Sequence, residues 1–185
     1  MKRLFTAIKV KPTEEFLRIY FKMKKSLVQE KIKWVNIENI HITLKFFGET
    51  PEEKIDEICY ALEKSTFNHD PFILSLRDIG IFGSSYKPKL IWFGIDPSDE
   101  LQKLAGDIKY ELNEIGYESD RQNFVPHLTI GRIKFIENKK FFQKVIDDNK
   151  SGFIQEIAVD EIILYESILH RTGAEYVVVE SFALS

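Results

Sequence analysis

Ile40-His41-Ile42-Thr43-Leu44-Lys45-Phe46 alternates apolar and polar side chains, and the pattern returns 86 positions after His41 as His127-Leu128-Thr129-Ile130. In a β-strand, residues i and i+2 point to one face. His41 and Thr43 therefore project together, while Ile42 and Leu44 fix the strand in a core. His127 and Thr129 do the same in the second copy. With four His and seven Thr in the chain, two such pairs would coincide in roughly one chain in a hundred.

Outward from the first copy, Arg3–Val10 reads as a strand. Pro12-Thr13-Glu14-Glu15 opens a helix with Phe16, Ile19, Tyr20, Met23 and Leu27 on one stripe. Trp34-Val35 is a short extended piece. After Gly48, Thr50-Pro51-Glu52-Glu53 reads as a capping box starting a helix to about Ser65. A strand follows near Phe72–Ile79, then a Gly/Ser/Lys/Pro loop at 83–89 and a strand at Leu90–Ile95.

Around the second copy, Asp96-Pro97-Ser98-Asp99 opens a helix with Leu101, Leu104, Ala105, Ile108, Leu112 and Ile115 on its stripe, ended by Gly116. The alternating segment runs from His127 to Ile133. A short helix is expected within Asn138–Asn149, then strands around Ile157–Leu169 and Glu175–Leu184 joined by a hairpin turn at 170–173. A helix followed by a His-apolar-Thr-apolar strand thus occurs twice. Two similar α+β halves without a linker are expected, forming one bilobal domain over residues 1–185.

The chain has 185 residues and is 44% hydrophobic, enough for one well-buried core. A net charge of −3 argues against a general polyanion binder, which is usually basic overall. A local basic patch for a phosphate remains compatible with it. The single cysteine, Cys59, excludes an internal disulfide or a thiolate zinc site and falls on the helical stripe Ile55, Ile58, Cys59, Leu62. No apolar run is long enough to span a bilayer, and the start lacks the pattern of a signal peptide. A cytoplasmic protein without a membrane association is expected.

Two imidazoles and two hydroxyls converging on one cleft suit phosphodiester chemistry. An ordinary histidine titrates near 6.5, so around neutral pH one ring can accept a proton while its partner donates one. Each such transfer contributes about 10²–10⁴-fold. The threonine hydroxyls can hold the non-bridging phosphate oxygens, where charge gathers in the transition state. This chemistry requires no metal or cofactor. The plain alternative is that each His is a buried polar residue bonded to backbone and each Thr a β-former; the matched pair weighs against it. Metal ligation by the two His is disfavoured because no carboxylate shares the motif and Thr is a poor ligand.

These residues resemble the hallmark motifs of the two-histidine phosphoesterase superfamily. The branch most similar is the RNA 2′,3′-cyclic phosphodiesterases, also called 2′-5′ RNA ligases. The likeness covers nearly the whole chain: Arg3-Leu4-Phe5-Thr6-Ala7-Ile8, Trp34-Val35, the stretch from His41 through Gly48-Glu49, Gly80-Ile81-Phe82-Gly83, Leu90-Ile91-Trp92-Phe93-Gly94, Pro126-His127 through Gly131-Arg132, Leu164-Tyr165-Glu166-Ser167, Gly173 and Tyr176. Phe47 departs mildly, since the branch commonly has Leu there.

The resemblance implies a bilobal α+β fold, two antiparallel sheets around a central cleft with helices packed outside. It implies hydrolysis of RNA 2′,3′-cyclic phosphate ends to 2′-phosphomonoesters, and ATP-independent, reversible 2′-5′ joining of RNA ends. His41 would donate the proton to the leaving O3′, His127 would accept one from water, and Thr43 and Thr129 would hold the phosphate. The partner would be RNA or a nucleotide ending in a 2′,3′-cyclic phosphate, met by a monomer. Rival readings are a phosphodiesterase for small cyclic nucleotides or 2′-5′ oligonucleotides, and an RNA-end-binding protein without turnover.

Further residues follow from position. By strict alternation Lys45 shares the face of His41 and Thr43 and would line the cleft; a solvated strand residue is the plainer reading. Arg132 lies five residues past His127, so alternation turns it away unless a bulge at Gly131 redirects it to the phosphate; a surface ion pair is the equal alternative. Tyr86, Lys87 and Lys89 sit in an exposed loop where RNA could meet them, although an ordinary surface loop explains them too. Trp34 and Trp92 are expected in the core. His69 and His170 lack a Thr two residues on and are assigned no role.

Overall fold

The two alternating segments are strands of different sheets. The computed structural model describes residues 1–84, 86–117, 124–150, 152–171 and 173–185. In chain order the elements are β1 (Lys2–Lys9), α1 (Glu14–Ser26), β2 (Lys31–Trp34), β3 (His41–Thr50), α2 (Ile55–Thr66), β4 (Phe72–Gly83), β5 (Pro88–Ile95), α3 (Asp99–Glu114), β6 (His127–Phe135), α4 (Lys139–Asp147), β7 (Phe153–Val159), β8 (Glu161–Leu169) and β9 (Ala174–Ala183). One sheet has the order β3-β1-β8-β9 and the other β2-β6-β5-β4-β7, with antiparallel pairing throughout. The helices lie outside the sheets, and the cleft lies between them.

Neither sheet comes from one continuous half of the chain. β4 follows the first motif and its helix, yet it pairs with β5. β8 follows the second motif and its helix, yet it pairs with β1. Buried apolar side chains from both sheets and all four helices form one continuous cluster, including Phe16, Ile42, Ile58, Phe93, Leu104, Ile130, Phe142 and Leu164. A smaller cluster of Phe5, Ala7, Ile163 and Tyr165 lies on the cleft face of the first sheet, with Tyr176 against it. No helix among the described residues is long and apolar enough to cross a membrane.

Local chemistry explains most helix starts. The side chains of Thr13, Ser98 and Asn138 accept from the backbone N–H of Phe16, Leu101 and Phe141, each cap contributing about 1 kcal/mol. Thr50 does not cap. It is the last residue of β3, and its hydroxyl donates to the Gly48 carbonyl. A 3-10 turn at Glu52–Lys54 then leads into α2 without a side-chain cap. The capping-box expectation therefore fails, because Thr50 still belongs to the strand and a 3-10 turn separates it from α2. The single strand expected at Ile157–Leu169 is two. β7 ends at Val159, and after Asp160 the chain enters the other sheet as β8. Both pieces are rich in buried apolar residues, so hydrophobicity alone does not mark the crossing.

Candidate active site

Two irregularities of register decide which side chains reach the cleft. Along β1, Ala7 pairs with Thr43 and Thr6 with Lys45, which leaves Leu44 as an extra residue in β3. Residues paired across an antiparallel ladder share a face. His41 and Thr43 thus stand on the side of Lys9 and Ala7, whereas Lys45 stands on the side of Thr6. The expectation that Lys45 joins His41 and Thr43 is corrected: the bulge at Leu44 reverses the parity on which it rested.

The second bulge acts in the opposite sense. Thr129 pairs with Trp92 and Gly131 with Ile91, so Ile130 is the extra residue in β6. Arg132 then pairs with Leu90, two residues from Trp92. Arg132 therefore returns to the face of His127 and Thr129, from which strict alternation excludes it. Its charge acts on both His41 and Tyr176 across the cleft.

Both histidines are held by the same local device. The Nδ1 of His41 lies 2.7 Å from the Asn39 carbonyl, and the Nδ1 of His127 lies 2.8 Å from the Val125 carbonyl. A carbonyl only accepts, so each Nδ1 carries the hydrogen and each neutral ring presents a bare Nε2. Among the described residues, neither Nε2 nor the hydroxyls of Thr43 and Thr129 has a hydrogen-bond partner. β3 packs against β6, and the two rings are close enough for the charge of His127 to act on His41. His41, Thr43, His127, Thr129 and Arg132 thus gather at one cleft; Lys45 does not.

The surroundings of His41 favour its neutral form. Burial pushes its pKa below the usual 6.5, the Asn39 carbonyl works against that, and the charges of Arg132 and His127 lower it further. Phe5 packs on the ring at 5.1 Å between centroids and Tyr176 edge-on at 5.3 Å. Burial likewise raises the pKa of Tyr176, while Arg132 and Arg3 oppose the rise. On the other side Phe82 meets His127 edge-on at 4.7 Å.

Trp92 is not simply core. It shares the cleft face with Thr129 and is half-buried. Its indole covers Gly80, where an added Cβ would lie 2.2 Å from the ring, and it also borders Gly94, where a Cβ would lie 3.2 Å from the ring. Trp34 packs edge-on against Tyr20 with the core, as expected. The sequence reading missed the roles of Asn39, Phe5, Phe82 and Tyr176 around the two rings. A small residue opposite Trp92, at Gly80, was the one local signal for a ring lying flat across the sheet. His69 pairs with Asp107 and His170 with Glu175, both away from the motif strands.

Comparison with known proteins shows the family and the fold. The sequence model described as the 2′-5′ RNA ligase superfamily matches residues 25–168. A Methanocaldococcus jannaschii protein named RNA 2′,3′-cyclic phosphodiesterase is 36% identical over 97% of this chain and 99% of its own. A Thermotoga maritima protein of the same name is 38% identical over 77% of this chain and 74% of its own. Among solved structures, E. coli LigT complexed with 3′-AMP superposes with a TM-score of 0.79 at 26% identity, covering 100% of this chain and 98% of that one.

Proposed function

Because the chain belongs to the 2′-5′ RNA ligase superfamily, we propose that its cleft hydrolyses RNA 2′,3′-cyclic phosphate ends to 2′-phosphomonoesters by acid–base catalysis between His41 and His127. The observation that carries the reading is the matched pair of Nδ1–carbonyl bonds, which leaves both Nε2 atoms available for proton transfer. The names carried by the M. jannaschii and T. maritima relatives support the choice of substrate.

In this reading, Nε2 of His127 takes a proton from water as the water oxygen attacks phosphorus. The P–O3′ bond breaks, and protonated His41 gives its Nε2 proton to O3′. The product carries a 2′-phosphate and a free 3′-hydroxyl. Thr43, Thr129 and Arg132 hold the non-bridging oxygens as charge builds on them. A 5′-hydroxyl entering in place of water would leave a 2′-5′ linkage by the same proton transfers, and its reversal would regenerate the cyclic end. The residues supply acid, base and anion contacts themselves, so no step is assigned to a metal.

Donation by His41 requires its lowered pKa to rise when substrate binds. An anionic phosphodiester seated at Arg132 does this by offsetting the guanidinium charge that acts on the ring. The test is incubation with EDTA and RNA ending in a 2′,3′-cyclic phosphate. Appearance of the 2′-phosphate end is expected; tight binding with unchanged substrate would instead indicate an end-binding protein without turnover. Competition with cyclic mononucleotides and 2′-5′ oligonucleotides identifies the preferred substrate.

A further inference from the structure

A row of paired residues crosses the cleft face of the second sheet: Lys33 on β2, Arg132 on β6, Leu90 on β5 and Phe82 on β4. It touches the site twice, since Phe82 packs on His127 and the charge of Arg132 acts on His41. From Arg132 the same face continues to Lys134, and from Lys33 to Lys31 on the edge strand. All four cations are exposed.

Lys33 and Arg132 are direct cross-strand partners, an arrangement that like charges destabilise. Among the described residues, none of these four has a carboxylate partner. Some cations elsewhere are paired, as in Lys54–Glu57, Lys64–Glu111, Arg18–Glu15 and Lys2–Glu166; what sets these four apart is their grouping on one face of adjacent strands. Glu30, next to Lys31, turns inward to accept from the backbone N–H of Glu137 and Asn138. The exposed carboxylate of Glu137 lies beyond the strand's end.

Aromatic rings accompany these charges. Phe135, paired with Lys31, is exposed. Tyr86 is exposed at the tip of the β4–β5 hairpin, with the Lys139 ammonium 3.7 Å from its ring centre. Unpaired cations beside an open ring such as Phe135 are what a single-stranded nucleic acid meets along its backbone and bases. On a chain of net charge −3, such a tract gives a polyanion one favoured route.

We propose that the RNA strand ending in the cyclic phosphate leaves the site along β6 and β2, with its phosphates on Lys33, Lys31 and Lys134 and a base on Phe135. The inference rests on the cyclic-phosphodiesterase reading and adds that the surface selects polynucleotide ends over cyclic mononucleotides.

The test compares wild type with the triple variant K31Q/K33Q/K134Q on a short cyclic-ended oligoribonucleotide and on the matching cyclic mononucleotide. The triple variant is expected to lose about 10- to 100-fold in kcat/KM on the oligonucleotide, through KM, with its salt dependence flattened by about 2 log–log units for three lost contacts. Mononucleotide turnover is expected to be unchanged, which also reports an intact fold. Equal losses on both substrates, or no loss on the oligonucleotide, overturn the proposal. The single variants carry the same comparison if the triple variant does not fold. If wild type turns over neither substrate, the activity reading fails, and fluorescence anisotropy of a labelled 2′-phosphate-ended oligonucleotide decides the tract alone. Weaker binding by the variant supports it, and equal binding overturns it.

Discussion

Asn39 links the first histidine to the β8–β9 hairpin: its side-chain amide donates to the Ala174 carbonyl at 2.7 Å, and its own backbone carbonyl lies 2.7 Å from His41 Nδ1. The clamp thus fixes the carbonyl that sets the tautomer of the ring. Two residues past Ala174, Tyr176 braces the same ring. Asn39→Ala removes the amide without touching the imidazole. Loss of such an orienting partner is expected to lower kcat about 10- to 100-fold with little change in KM. Nitrogen NMR of His41 is expected to show the Nε2–H tautomer gaining population; an unaltered tautomer with full kcat would sink the positioning role.

His41→Ala and His127→Ala remove the proposed acid and the proposed base in turn. Each is expected to lower kcat by about 10²–10⁴-fold, and the double variant by less than the product of the two losses, because paired catalytic groups act as a unit. Single-turnover rates on cyclic-ended RNA, with circular dichroism to confirm folding, measure this. A single variant with near-full activity removes that ring from the mechanism.

The titration of His41 provides a separate check. Its pKa lies below 6.5 because burial and the charges of Arg132 and His127 disfavour the protonated ring. The free protein therefore keeps this ring neutral at pH 7, and acid protonates it only below the ordinary range. Inorganic phosphate, bound at Arg132, is expected to move the midpoint upward. Arg132→Gln is expected to raise the midpoint of the free protein, since a repelling charge is gone, and to weaken the response to phosphate. Proton NMR of the imidazole follows both; a phosphate-induced downward shift contradicts the proposed coupling.

Gly80 is needed for the seat of Trp92. A Cβ there would lie 2.2 Å from the indole, so Gly80→Ala has to displace the ring. Crowding of this kind is expected to cost about 1–3 kcal/mol, read as a lowered urea midpoint. Trp92→Phe in the Gly80→Ala background is expected to recover part of that loss, because a smaller ring leaves room; no recovery would place the damage in the backbone instead.

Much of the site was legible in the sequence because period-two alternation is local. His41 with Thr43, and His127 with Thr129, needed only strand parity, and Thr13, Ser98 and Asn138 begin helices by their own side chains. Lys45 escaped the reading because an inserted residue reverses parity, and nothing in Thr43-Leu44-Lys45 marks the insertion. Arg132 posed the same difficulty, but Gly131 beside the bulge gave a hint. Partnership across distant segments was not legible at all. Asn39 meets Ala174, and Phe82 meets His127, only after the sheets form.

The exchange of strands between sheets also sets the order in which the cleft can be made. β1 closes on β8, pairing Leu4 with Glu166 and Phe5 with Tyr165, so β1 waits for a strand synthesised more than 150 residues later. Contacts this far apart in sequence are costly in loop entropy and slow to form. A nascent chain paused after residue 135 would already carry both His-x-Thr pairs, yet its first motif strand would lack the β8–β9 support that holds His41. Such a chain would hold the motif side chains without their geometry, which would be complete only once the β8–β9 hairpin has formed.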